Sequence, residues 1–183
     1  MTWGLPVSVE ISGAEYSVRT DYRAILDICA AISDPELDNQ ERSIAALAIF
    51  YPDIDSMPPE DYENALRECF RFINCNAEEA PGRAPRLVDW EQDYSLIIAP
   101  INRVLGCEAR AVEYMHWWTF LAAYQEIGDC TFAQVVRIRD KLARGKSLDK
   151  QDREWYRRNR RLVDLKTPYT SAEQDLLKEW GGA

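Results

Sequence analysis

Apolar and polar side chains alternate at the start of the chain. Val7, Val9 and Ile11 are separated by polar residues, Ser12-Gly13 offers a turn, and Tyr16 and Val18 resume the alternation. A period of two belongs to a strand with one covered face, so the pattern predicts a β-hairpin. From residue 20 the period becomes helical. Tyr22, Ile25, Leu26, Cys29 and Ile32 recur at helical spacing behind a candidate N-cap at Thr20, and Pro35 stops the run. Asn39 can cap a second helix holding Ile44, Leu47 and Ala48, before an acidic, proline-rich loop from Pro52 to Pro58. Ser56 followed by Pro58, Pro59, Glu60 and Asp61 predicts a helix start, because proline costs nothing in a first turn and carboxylates suit the positive end of the helix dipole. That helix should reach about Asn74.

Pro81, Gly82 and Pro85 make Ala80 to Pro85 the clearest internal break and predict a mobile loop. Asp89 should cap the next helix, which carries Tyr94, Ile97, Ile98, Ile101 and Leu105 to a stop at Gly106, with a kink at Pro100. Between Ala109 and Ile127, Val112, Tyr114, Met115, Trp117, Trp118, Phe120, Leu121 and Tyr124 leave almost no polar face, which predicts one central buried helix ended by Gly128. Thr131 should cap a helix through Phe132, Val135, Val136, Ile138 and Leu142 that closes at Gly145. Asp149, with Asp152 three residues on, opens a basic helix in which Trp155, Leu162, Val163 and Leu165 alternate with arginines. Pro168 ends it, and Thr170 to Glu173 starts a short tail helix. The fold class is therefore mainly α: a helical domain with a short N-terminal hairpin and a basic C-terminal helix. Residues 1–145 form the hairpin and helical core, and 146–183 a C-terminal arm, basic then polar.

Charge sharpens this division. The 183 residues carry 31 acidic and 22 basic side chains, net −9, which excludes a basic coat for a polyanion. The charge is unevenly placed. Residues 1–100 hold 7 basic and 19 acidic groups, net −12, residues 101–183 are net +3, and Arg137 to Lys166 alone is net +7. An acidic body and a basic arm could meet each other, a neighbouring copy or a polyanion. Length and composition describe a folded chain able to bury a core without cross-links. Cys29, Cys69, Cys75, Cys107 and Cys130 show no framework spacing, which fits free thiols in a reducing cytoplasm. The start of the chain lacks a signal-peptide pattern, and no apolar run approaches a membrane span.

Catalytic signatures are sparse. The single histidine, His116, lies between Met115 and Trp117, where a packed core histidine is more economical than a base paired with Cys130. The tightest cysteine pair, Cys69 and Cys75, lacks the spacing of a zinc site, and Asp53-Ile-Asp55 with Glu60, Asp61 and Glu63 lacks the order of a calcium loop. No phosphate-cradling glycine motif occurs. These patterns point away from an enzyme and from any cofactor or metal. The stretch that could carry binding is basic: Arg137, Arg139, Arg153, Trp155, Arg157, Arg158, Arg160 and Arg161, where an aromatic ring among guanidinium groups could also stack on bases. A nucleic acid would meet the net −12 of the first hundred residues, so a protein surface of opposite sign, including another copy, fits better.

The string Tyr114-Met-His-Trp-Trp-Thr-Phe-Leu-Ala-Ala-Tyr124, followed by Thr131-Phe132 and Val135-Val-Arg-Ile-Arg139, resembles the bacteriophage gene-product-fifteen family of long-tailed phages. Gly145 to Lys150, Trp155 to Leu165, the Leu5-Pro6 start before a hairpin, and Thr20-Asp-Tyr-Arg23 also resemble it. The resemblance implies a tail assembly chaperone that holds the apolar tape measure protein in the host cytoplasm until tail tube subunits displace it. Such a protein would be absent from the mature virion. It gives His116, Trp117, Trp118 and Phe120 the status of family-motif or core residues, and no catalytic role. The alternatives are a minor structural or connector protein of the tail, and a nucleic-acid-binding regulator acting through the basic C-terminal helix.

Overall fold

A computed structural model of the chain describes residues 4–77 and 85–166. The predicted loop at Ala80 to Pro85 lies outside them but for Pro85, and the predicted tail helix at Thr170 to Glu173 lies wholly outside. The chain divides into two compact units. Among the described residues, one holds 4–77 and 116–118, the other 85–115 and 119–166.

The first unit begins with the hairpin. Strands β1 (Ser8–Ile11) and β2 (Ala14–Ser17) pair antiparallel, with Val9 opposite Tyr16 and Glu10 opposite Glu15. Ser12 (φ 51°) and Gly13 (φ 82°) both lie in the left-handed region, as a tight two-residue hairpin turn requires. Helix α1 (Tyr22–Ser33) follows, and its cap is Asp21, whose carboxylate accepts from the Arg23 amide. The cap is thus one residue later than expected, because Thr20 is buried and its carbonyl is engaged by the amide of Trp117 at 2.7 Å. Helix α2 (Asn39–Phe50) is likewise capped one residue away from Asn39. Asp38 and Glu41 form a reciprocal capping box.

Two 3-10 turns, Ile54–Ser56 and Pro59–Asp61, lead into α3 (Tyr62–Ile73). α1 packs on α2 and α2 on α3. Tyr22, Ile25, Ile28, Leu47, Phe50 and Phe72 are among the side chains that fill this core. Tyr51 is buried there too, and its hydroxyl donates to the carbonyl of Ala65 at 2.9 Å.

The second unit starts with α4 (Trp90–Leu105), capped by Asp89. Pro100 is buried inside α4 and withholds the amide that would reach Leu96, yet the helix runs on to Leu105. It ends at Gly106, whose φ of 70° needs a residue without Cβ strain. The expected central helix from Ala109 to Ile127 does not form as one piece. Ala109–Ala111 is a 3-10 turn, and α5 spans only Trp117–Gln125. The physical reason is the backbone of His116, which bridges antiparallel to Asp21 and cannot also lie inside a helix. Tyr114 is exposed accordingly.

Helix α6 (Thr131–Ala143) is capped by the thiol of Cys130 in place of the expected Thr131. The basic arm is two helices, α7 (Lys150–Arg158) and α8 (Arg160–Val163), divided at Asn159. Its described part belongs to the same compact unit as α6. Val135, Ile138 and Val163 form a small core there, with Leu96, Leu148, Trp155, Tyr156 and Leu162 packed around it. Among the described residues the protein is mainly helical, with one two-stranded sheet.

Burial separates the five thiols, all of which are free. It pushes the Cys29 thiol up to about 11 and the Cys69 thiol up to about 12, whereas Cys107 is exposed. Below the ordinary value of 9.0, folded and unfolded chains both keep the Cys69 proton; between there and about 12 only the unfolded chain releases it. Stability should therefore fall as pH rises through that window. Ellman's reagent at neutral pH should label Cys107 first and Cys69 only on unfolding, as peptide mapping of labelled protein will show.

Candidate functional site

The motif His116-Trp117-Trp118 lies in the first unit, and each of its side chains closes a backbone end. The last carbonyls of α3 have no amide ahead of them in the helix itself, although Phe72 O also accepts from the amide of Cys75 beyond the helix end at 3.0 Å. Trp117 donates its indole Nε1–H to Ile73 O at 2.8 Å, and Trp118 donates its own to Phe72 O at 2.9 Å. Adjacent tryptophans thus cap adjacent carbonyls. The His116 ring is buried and fully used. Nδ1 accepts from the Trp118 amide at 3.0 Å, in the manner of an N-cap for α5, and Nε2 lies 2.9 Å from Pro6 O. Since Nδ1 accepts, the proton resides on Nε2 and is donated to Pro6. Neither nitrogen is left for a substrate or a metal. Phe72 lies 5.7 Å from both the His116 ring and the Trp118 ring, which completes an aromatic cluster.

Phe120, the fourth motif residue, belongs to the second unit and is wholly buried, 6.4 Å from the Trp90 ring. Its role is packing.

Arg139 is a correction to the expected binding set. It is buried in the second unit, facing the equally buried Asp93 in a two-pronged ion pair, Nη1 to Oδ2 at 2.6 Å and Nη2 to Oδ1 at 3.0 Å. The remaining donors reach Val163 O (2.6 Å), Leu87 O (2.9 Å) and Leu162 O (2.8 Å). All five guanidinium hydrogens are therefore committed. Asp93 also accepts from the amide of Asp89, so one pair ties the start of α4, the segment before it, α6 and α8. The sequence shows Asp93 only as a first-turn acid; nothing local marks it as buried.

The other basic residues divide into engaged and free. Arg137 and Lys141 both reach the buried carboxylate of Asp152, at 2.7 and 2.5 Å, and that hydrogen bond holds the Lys141 ammonium above its ordinary range. Arg160 pairs with Asp164 at 2.8 Å. Trp155 is half-buried against the Val135 core, so its ring is a wall of the fold with only one side available. Arg153 donates to Leu148 O, and Arg157, Arg158 and Arg161 stand exposed. A polar cleft of about 380 Å³ opens beside Arg137, Asp152 and Trp155 and is also lined by Cys130, Thr131, Gln134 and Gln151. Among the described residues, no group of three or more His, Cys, Asp or Glu could hold a metal ion, and no helix is long and apolar enough to cross a membrane.

A family model described as the Bacteriophage Gp15 protein matches residues 1–165. The chain belongs to this bacteriophage Gp15 family. The match takes in both compact units as far as Leu165, and with them the indole caps, the Arg139–Asp93 pair and the exposed arginines of this Gp15-family chain. No curated protein and no solved structure matches it.

Two mutational outcomes follow for this Gp15-family fold. Arg139→Met strands a buried carboxylate and should cost about 3–5 kcal/mol in urea unfolding; adding Asp93→Leu should recover part of that loss. Trp118→Phe keeps an aromatic ring but removes one of two donors to Phe72 O, which retains the Cys75 amide, and should cost about 0.5–1.5 kcal/mol by the same measurement.

Proposed function

We propose that this chain is a tail assembly chaperone of a long-tailed phage, binding the tape measure protein in the host cytoplasm until tail tube subunits take its place. On this reading it acts by holding a protein surface, with no catalytic step, and leaves before the virion matures. The observation that carries the reading is membership of the bacteriophage Gp15 family over residues 1–165. The chemistry at hand supports it. The aromatic motif through which the chain resembles that family is spent on capping its own backbone, leaving protein-binding chemistry on the outside. That outside chemistry consists of arginines on α7 and α8, with exposed Leu5, Val7 and Ile44 in the first unit and Val104, Tyr114 and Leu142 in the second. Side chains of this kind suit an extended apolar partner with charged flanks.

Co-expression with the tape measure protein of the same phage tests the reading. The expected outcome is that the tape measure protein becomes soluble and co-purifies with the chain, while mass spectrometry of purified virions finds the chain missing. A well-folded chain that leaves the tape measure protein insoluble overturns the proposal. A chain found at fixed copy number in virions would instead mark a structural component of the tail.

A further inference from the structure

Helices α7 and α8 have two unlike sides. Asp152, Trp155, Tyr156, Leu162 and Val163 face the interior, and the outer side shows Lys150, Arg153, Arg157, Arg158 and Arg161, all exposed, with the single acid Glu154 among them. None of these five cations has a carboxylate within ion-pair distance among the described residues, whereas Arg137, Lys141 and Arg160 each have one. The first unit presents the converse. Glu10 and Glu15 sit directly opposite each other on the hairpin, a like-charge pairing that costs stability unless a cation comes between. The hydrogen bond from Ser12 Oγ to Asp61 joins the hairpin turn to the segment that carries Asp53, Asp55 and Glu60. These five carboxylates are exposed, and none forms an ion pair among the described residues.

We propose that the basic outer face of α7 and α8 docks on the acidic surface formed by the hairpin and the Asp53–Glu60 segment of a second copy of this chain. Two sets of opposite sign, neither ion-paired among the described residues, fit each other. A nucleic acid fits worse, because it would bring its phosphates to a chain of net charge −9 whose own carboxylates are equally exposed. The contact joins two different surfaces, so it either repeats from copy to copy, closing a ring or extending along a filament, or closes as a two-fold pair in which each copy supplies both surfaces. It stands independently of the chaperone reading: failure to solubilise a tape measure protein would leave it intact, and a monomeric chaperone would remove it alone.

Sedimentation velocity of the full chain tests it without any variant. The chain should associate with rising concentration at about 50 mM salt and return to monomer near 500 mM, where screening shortens the reach of charge to a few ångströms. Reversing one surface (Arg157→Glu, Arg158→Glu and Arg161→Glu together) or the other (Asp53→Lys, Asp55→Lys and Glu60→Lys together) should each yield a folded monomer by circular dichroism. Mixing the two variants should restore association. A wild-type chain that stays monomeric at low salt overturns the proposal, as does association that survives both reversals or a mixture of folded variants that stays apart. If the arginine reversal abolishes binding to a short DNA duplex and leaves self-association unchanged, the face belongs to a polyanion and the proposal also falls.

Discussion

A buried helix end leaves carbonyls that need donors, and both units of this protein meet that need with side chains from far along the chain. In the first unit the donors are indole N–H groups, which reach the last two carbonyls of α3 from residues 117 and 118, beside the local Cys75 amide that Phe72 O also accepts. In the second the donor is the Arg139 guanidinium, which takes the Leu162 and Val163 carbonyls of α8 and the Leu87 carbonyl before α4. An unsatisfied carbonyl at depth costs about 1–3 kcal/mol, so these long-range bonds fix where α3, α8 and the approach to α4 can lie. Water could serve the same carbonyls only at an exposed end, which would open the core beside it.

This constraint reassigns the residues that draw the eye. A histidine beside two tryptophans suggests a ligand pocket, and an arginine two residues from another suggests a binding stripe. In the fold His116, Trp117 and Trp118 are fastenings, and Arg139 is the centre of an internal ion pair that a burial penalty makes costly to break on one side only. The two arginines of the Arg137-Ile-Arg139 segment have opposite fates, because residues two apart on a helix point in different directions. Arg137 looks out over a cleft beside Asp152, and Arg139 looks in. What remains on the surface is therefore more selective than the raw count of basic residues. It is concentrated on the outer side of α7 and α8.

Net charge takes on a similar meaning. The positive excess between Arg137 and Lys166 includes several cations that neutralise buried or half-buried carboxylates of the same unit, Asp93, Asp152 and Asp164. Only the others can act on something outside the chain. With its aromatic motif turned inward, this member of a phage protein family presents exposed guanidinium groups and scattered apolar side chains on the outside.

Local pattern alone determined a good deal. The hairpin and its Ser12-Gly13 turn, the helix starts at Asp89 and Asp149, the stops at Gly106 and Gly145, the mainly helical class and the family resemblance are all legible, because each depends on near neighbours. The caps at Asp21, Asp38 and Cys130 fall one residue from the expected Thr20, Asn39 and Thr131, since neighbouring polar side chains compete and tertiary contacts choose among them. The central apolar run was misleading for a stronger reason. Hydrophobicity records that Val112 to Tyr124 includes buried side chains, but not that the backbone at His116 would pair with Asp21, some ninety-five positions earlier. Burial of Asp93 and Asp152 was equally hidden, because an acid in a first helical turn reads as a dipole partner until the fold brings an arginine to it. The sequence by itself determined which segments are helical and where charge accumulates; only the tertiary structure decided which charges and aromatic donors are consumed inside, because that depends on carbonyls and carboxylates distant in the chain.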